Sequence, residues 1–178
     1  MCCRRVLLSP LLLVMAQAAQ AECHIPTFVR STAIGEPAIL SAPSPDAAVL
    51  GSMPMVEDPE RGPMGAEALI VEIRDGYADL RRVVAWSDPD RTAPDGWVDA
   101  AELGFVVQTE KGFAQPDPSS EVVWQGQDWI YTDMIDTLLA CEGEWVALQM
   151  VDAKTPDPVW VRGVCNGQET TCDGVQGD

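Results

Sequence analysis

The amino-acid sequence predicts an all-β fold made of two similar small units held by disulfides. Three observations predict it. Apolar stretches are short and bounded by turn formers, and fourteen prolines with fourteen glycines disfavour any long helix. Cysteines that survive export are even in number, as in an oxidised, loop-rich domain. A set of landmarks also occurs twice, in the same order.

The N-terminus reads as a secretory leader. Met1 to Arg5 carries two arginines, Val6 to Met15 is apolar apart from Ser9 and Pro10, and Ala19-Gln20-Ala21 is an A-x-A cleavage site. The apolar run falls short of the roughly 20 residues a membrane-spanning helix needs. Glu22 stands between the small residues and Cys23, which argues against a lipid anchor and for cleavage after Ala21. The expected location is periplasmic or secreted, not membrane-embedded.

The formal net charge is −17, and the loss of Arg4 and Arg5 with the leader makes it more negative. Such a surface repels nucleic acid and anionic headgroups and suits a cationic partner. Cys2 and Cys3 also leave, so Cys23, Cys141, Cys165 and Cys172 remain, with three possible pairings. No two of them are spaced C-x-x-C and the only histidine is His24, so no metal site is expected.

Along the chain, the segment from Ala38 to Gly51 reads as a strand, a Pro43-Ser44-Pro45 turn and the apolar pair Val49-Leu50. Lys111 to Trp124 repeats that order with Pro116-Asp117-Pro118 and Val122-Val123. Ala68 to Ile73 is a strand ending at Asp75-Gly76, a dipeptide favoured at strand reversals. Tyr77 to Val84 resumes the ladder. Ser87 to Gly96 is rich in Pro and Asp and reads as an irregular loop. Trp97-Val98 starts a short strand, and Asp99 caps one turn of helix over Ala100 to Leu103. In the second half the strands are Ile135 to Cys141, Trp145 to Val151 and Val159 to Val164, with a turn at Glu142-Gly143-Glu144. Asp75 to Leu80 matches Gly143 to Leu148, and Gly96-Trp97-Val98 matches Val159-Trp160-Val161.

These landmarks resemble the bacterial SH3-type (SH3b) domain, a small β-barrel of exported cell-envelope proteins. The resemblance rests on Ser41-Ala42-Pro43-Ser44, Val49-Leu50-Gly51, Asp75-Gly76-Tyr77 and Gly96 to Leu103. It rests again on Gln115 to Pro118, Val122-Val123-Trp124, Gly143-Glu144-Trp145 and Val159-Trp160-Val161. Trp124 and Val159 stand where the family carries glycine. The resemblance implies two tandem SH3-like barrels, residues 22–107 and 108–172, joined near Gly104 to Gln108 as a packed pair, with 1–21 as leader and 173–178 as tail. It also implies a noncatalytic binding or scaffolding role that recognises peptidoglycan or its peptides. The acidic balance supplies an alternative, a binder, inhibitor or accessory subunit for an exported protein with a basic surface.

Barrels this small have little core, so disulfides of typically 2–4 kcal/mol have an evident role. If the strand containing Trp160 pairs antiparallel with Trp145 to Val151, Cys141 and Cys165 meet, leaving Cys23 to Cys172. The competing arrangement is Cys23–Cys141 with Cys165–Cys172.

No catalytic residue and no cofactor are expected. His24 has no marked nucleophile beside it, and the carboxylate pairs Asp88/Asp90 and Glu142/Glu144 are common in so acidic a chain. Asp88 to Gly96 lacks the calcium-loop spacing, and no Gly-rich phosphate loop precedes a helix. Aromatics are the remaining lead. Tyr77, Trp97, Trp145 and Trp160 fall on the shared landmarks and suit a core. Trp86, Trp124, Trp129 and Tyr131 lie off that pattern and are the candidate ligand-binding residues.

Overall fold

The computed structural model describes residues 22–165 apart from 31, 34, 127, 128, 153, 156 and 157. The expected leader, Cys172 and the expected tail therefore lie outside the described residues. The first ten strands are β1 (Ile25–Val29), β2 (Ala38–Leu40), β3 (Val49–Ser52), β4 (Met55–Asp58), β5 (Gly62–Gly65), β6 (Glu67–Arg74), β7 (Tyr77–Ala85), β8 (Asp88–Thr92), β9 (Gly96–Asp99) and β10 (Leu103–Gly104). The others are β11 (Val106–Val107), β12 (Lys111–Phe113), β13 (Val122–Gln125), β14 (Ile135–Glu142), β15 (Trp145–Met150), β16 (Val159–Val161) and β17 (Val164–Cys165). Two short 3-10 turns, Ala100–Glu102 and Thr132–Met134, complete the all-β fold.

Local chemistry explains the main hairpins. Asp75 and Gly76 both take positive φ (54° and 80°), the backbone twist that lets β6 return as β7 with Arg74 opposite Tyr77. The turn between β14 and β15 has its positive φ at Gly143, with Glu142 opposite Trp145. Asp99 Oδ1 accepts the Ala101 N–H at 2.9 Å and so starts the Ala100–Glu102 turn, as the sequence predicts.

Strand order in the first half is β10-β1-β6-β7-β9-β2-β3, with β8 on β7 and β4–β5 a separate hairpin. The second half has β13-β12-β16-β15-β14 and the separate pair β11–β17. The same register occurs in both. Ala38↔Ser52, Ile39↔Gly51 and Leu40↔Val49 in β2–β3 are matched 73 residues on by Lys111↔Gln125, Gly112↔Trp124 and Phe113↔Val122, each set with a register shift at its last step. Leu40↔Trp97 is matched by Phe113↔Trp160, and Ala78↔Val98 by Val146↔Val161. The Pro-x-Pro turns agree bond for bond. Ser44 N→Ala42 O, Ala47 N→Ser44 O and Ser41 N→Ala48 O correspond to Asp117 N→Gln115 O, Ser120 N→Asp117 O and Ala114 N→Glu121 O.

Two expectations need correction. Asp88–Thr92 is a strand, not an irregular loop. Pro89 is tolerated because β8 is an edge, with Val84↔Thr92 and Ala85↔Asp88 as its β-partners, and Ser87 at φ 58° makes the reversal. The disulfide is Cys23–Cys141, with Cα atoms 5.8 Å apart, not Cys141–Cys165. The antiparallel pairing of β15 with β16 is as expected, but β14 packs against β6 and the N-terminal segment, which carries Cys23 to the end of β14. Cys165 is also disulfide-bonded, and its partner lies outside the described residues.

One apolar cluster runs through both halves. It joins Ile25, Ile70, Leu80 and Val98 to Ile135, Leu138, Leu148 and Val161. The connector between the halves is part of it, since Phe105 and Val107 are fully buried. Arg30 closes the seam. Its Nε donates to Leu103 O at 2.6 Å, Nη1 to Ile135 O at 3.0 Å and Nη2 to Asp136 O at 3.5 Å. Burial lowers the guanidinium pKa, opposed by the charges of Asp136 and Glu102.

Arg30→Met leaves these carbonyls without their donors, so the urea midpoint falls by the equivalent of about 1–3 kcal/mol, with only partial recovery in Arg30→Lys. Replacing Cys23 and Cys141 together by Ser lowers stability by about 2–5 kcal/mol in the same assay. A non-reducing peptide map of the wild type shows residue 23 linked to residue 141.

Candidate ligand-binding surface

The aromatics singled out by the sequence separate into three places. Trp129 and Tyr131 come together, with ring centroids 6.5 Å apart and planes inclined by 36°. Ile130 between them exchanges backbone hydrogen bonds with Val107 (2.9 and 3.0 Å) and is fully buried. The alternation of an extended chain then sends Trp129 and Tyr131 to the opposite face. There both are half-buried against Val106 and Cys165. The result is an aromatic shelf on β11 and β17, with Tyr131 leading into the 3-10 turn Thr132–Met134.

Trp86 stands elsewhere, at the end of β7, half-buried beneath the Arg61 guanidinium at 5.5 Å from its ring centroid. Arg61 belongs to the β4–β5 turn, whose Asp58 Oδ1 accepts the Glu60 and Arg61 N–H groups at 2.9 Å. Trp124 lies on the outermost strand β13. It packs partly into the core and crosses Gly112, where an added Cβ would approach Trp124 Cβ to 3.3 Å. The aromatics expected in the core also divide. Trp97 is buried, whereas Tyr77, Trp145 and Trp160 are half-buried. Arg74 covers Trp97 at 4.9 Å and Arg162 covers Trp145 at 5.3 Å, with Phe113 edge-on to Trp145.

The shelf has no counterpart in the first half. Val29 N→Ala66 O and Arg30 N→Glu102 O there correspond to Val107 N→Ile130 O and Gln108 N→Gly163 O in the second. By that correspondence Gly65 takes the place of Trp129. Its Cβ would strike the Val29 carbonyl, so no side chain fits there.

Charge is distributed unevenly. Arg81 is paired bidentately with Asp79, Arg91 with Glu36, and Arg74 with Glu72. Asp95 Oδ1 accepts the N–H of Arg82, a non-glycine residue at φ 55°. No group of three or more His, Cys, Asp or Glu side chains suited to a metal ion occurs among the described residues. His24 is exposed and contributes its backbone N–H to Gly143 O at 3.1 Å. No helix among the described residues is long and apolar enough to cross a membrane. Exposed apolar side chains were missed as candidates by the sequence reading: Val49 (66%), Leu50 (50%) and Val122 (42%). Their signal was present, as the apolar pair that follows each Pro-x-Pro turn.

Comparison with family models, curated proteins and solved structures finds no match to this chain.

Glu36 gives a test of the local electrostatics. Its carboxyl pKa is lowered by the Ser52 hydroxyl first, then by the Met55 N–H and the Arg91 charge. A folded-state pKa below the unfolded value means the stabilisation is complete above the unfolded pKa and is lost as pH falls through the folded one. An NMR titration finds the Glu36 midpoint below that of an ordinary glutamate, and Ser52→Ala moves it upward.

Proposed function

We propose that the protein is a noncatalytic binding or scaffolding module of the cell envelope, periplasmic or secreted after cleavage near Ala21, that recognises peptidoglycan or its peptides. In this reading residues 22–107 and 108–172 are two SH3-type units descended from one duplicated barrel. The observation that carries it is the shared register of β2–β3 and β12–β13, down to the same shift and the same turn bonds. Recurrence at that level supports duplication more strongly than the individually weak motifs do. The Trp129–Tyr131 shelf is the contact surface, because two adjacent half-buried rings present apolar faces at little cost in side-chain freedom. Fold alone does not specify a ligand, so the role rests on this surface.

A second reading is favoured by a specific observation. Arginines 30, 61, 74, 81, 91 and 162 are each held by a carbonyl, carboxylate or ring of the protein itself. Arg82, Lys111 and Lys154 are exposed, but acidic side chains far outnumber them, and the surface suits a basic exported partner, for which this protein would be an inhibitor or accessory subunit.

Purified sacculi separate the two. Mature protein is retained at both low and high salt if aromatic contact with the wall dominates. Trp129→Ala or Tyr131→Ala then reduces retention about tenfold, with circular dichroism unchanged. Trp86→Ala has little effect, since Arg61 already covers that ring. Failure to sediment with sacculi sinks wall recognition.

A further inference from the structure

Besides β10 and β14, which also end their sheets and accept hydrogen bonds from Arg30, the edge strands are of two kinds. β8 reads Asp88-Pro89-Asp90-Arg91-Thr92, is exposed at all five residues, and carries the charges and proline that discourage strand addition. β3 and β13 differ. They terminate their sheets, and their sequences Val49-Leu50-Gly51-Ser52 and Val122-Val123-Trp124-Gln125 contain no charge and no proline. Their protection is one register shift each, and each turns a valine to solvent at the same position. Two unguarded edges preserved in one register invite an added strand.

Charge selects the occupant. Glu121 immediately precedes β13, and Glu110 O accepts the Gly126 N–H just beyond it at 2.9 Å. Asp117 and Asp46 occupy the turns that lead into β13 and β3. All four side chains are exposed and, among the described residues, none forms an ion pair. Asp117 is held ionised to lower pH than usual by the N–H and hydroxyl of Ser119. Lys111 is the one cation on β12 and β13. A second copy of a chain with net charge −17 would be repelled from these edges.

We propose that β3 and β13 are docking edges for an extended cationic segment of a partner protein, in which lysine or arginine alternates with apolar residues. Main-chain hydrogen bonds to the edge supply affinity. The apolar residues cover the equivalent valines Val49 and Val122, and the cations meet Asp46, Glu110, Asp117 and Glu121. This rests on the acidic-binder reading and is independent of wall recognition. Two equivalent edges also allow one partner bearing two such segments to bind bivalently.

The probe is a capped synthetic peptide of about ten residues alternating Lys and Val, comparable to a β-strand in length. Its binding is followed by fluorescence anisotropy beside a copy N-methylated at alternate peptide bonds. The unmodified peptide binds, weakens about tenfold at about 0.5 M salt, and weakens about tenfold in Val49→Lys/Val122→Lys. The N-methylated copy, which retains charge and apolar surface but lacks the edge-bonding N–H groups, shows no binding. Equal binding of both peptides overturns strand addition while leaving the acidic-binder reading standing. If neither peptide binds, both are overturned.

Discussion

The structure depends on how the N-terminal segment holds β14. Residues 23 to 30 belong to the first sheet, where β1 lies between β6 and β10. The same residues fasten the second half at both ends of one strand. Cys23 is bonded to Cys141 near the end of β14, and the neighbouring His24 N–H reaches Gly143 O. Arg30 donates to Ile135 O and Asp136 O at its start. A covalent bond at one end and a half-buried charge-assisted clasp at the other tie β14 to the N-terminal segment. That lets Ile73, Leu138 and Ile135 share one core. Either half alone has the size at which a core barely exceeds its entropy cost, so joining them enlarges the buried surface where it is most needed.

Much of this fold was legible because it is local. Asp75-Gly76, the Asp99 cap and the two Pro-x-Pro turns are short-range instructions, and each produces the structure its residues favour. The ordered recurrence of Leu80 and Leu148, or of Trp97 and Trp160, was readable for the same reason. β1 was not. A five-residue strand has little periodicity to display, and its importance comes from partners about forty to more than a hundred residues away in sequence. The pairing preferred from sequence, Cys141–Cys165, was wrong on the same account and the competing Cys23–Cys141 forms, because the pairing follows from the packing of β14 on β6, which no local pattern records. β8 shows the opposite error. Proline and aspartate argue against a central strand, but they are compatible with an exposed edge.

The aromatic residues were identified by type but not by grouping. Trp129 and Tyr131 meet because Ile130 is pinned to Val107, whereas Trp86 belongs to the β4–β5 hairpin through Arg61. The cations over Trp86, Trp97 and Trp145 could not be paired from sequence, although each leaves the same physical trace. An indole, buried at Trp97 and half-buried at Trp86 and Trp145, accepts a guanidinium on its face, which shields the ring. Arg61, Arg74 and Arg162 are thereby engaged by rings of the protein itself, while Arg82, Lys111 and Lys154 stay exposed.

The differences between the halves show where new surface can arise. In the first half, Gly65 lets the chain approach Val29 so closely that no side chain fits, and the β4–β5 hairpin lies against β1. In the second, the equivalent position is Trp129, and a large ring must then lie on the outside, over Val106 and Cys165. Packing therefore excludes an aromatic shelf from one half and permits it in the other while the core strands keep a common register. The edges behave differently. β3 and β13 retain both their register and their exposed valine, although neither valine stabilises the core. A feature that costs apolar exposure in both halves is one that folding alone does not explain.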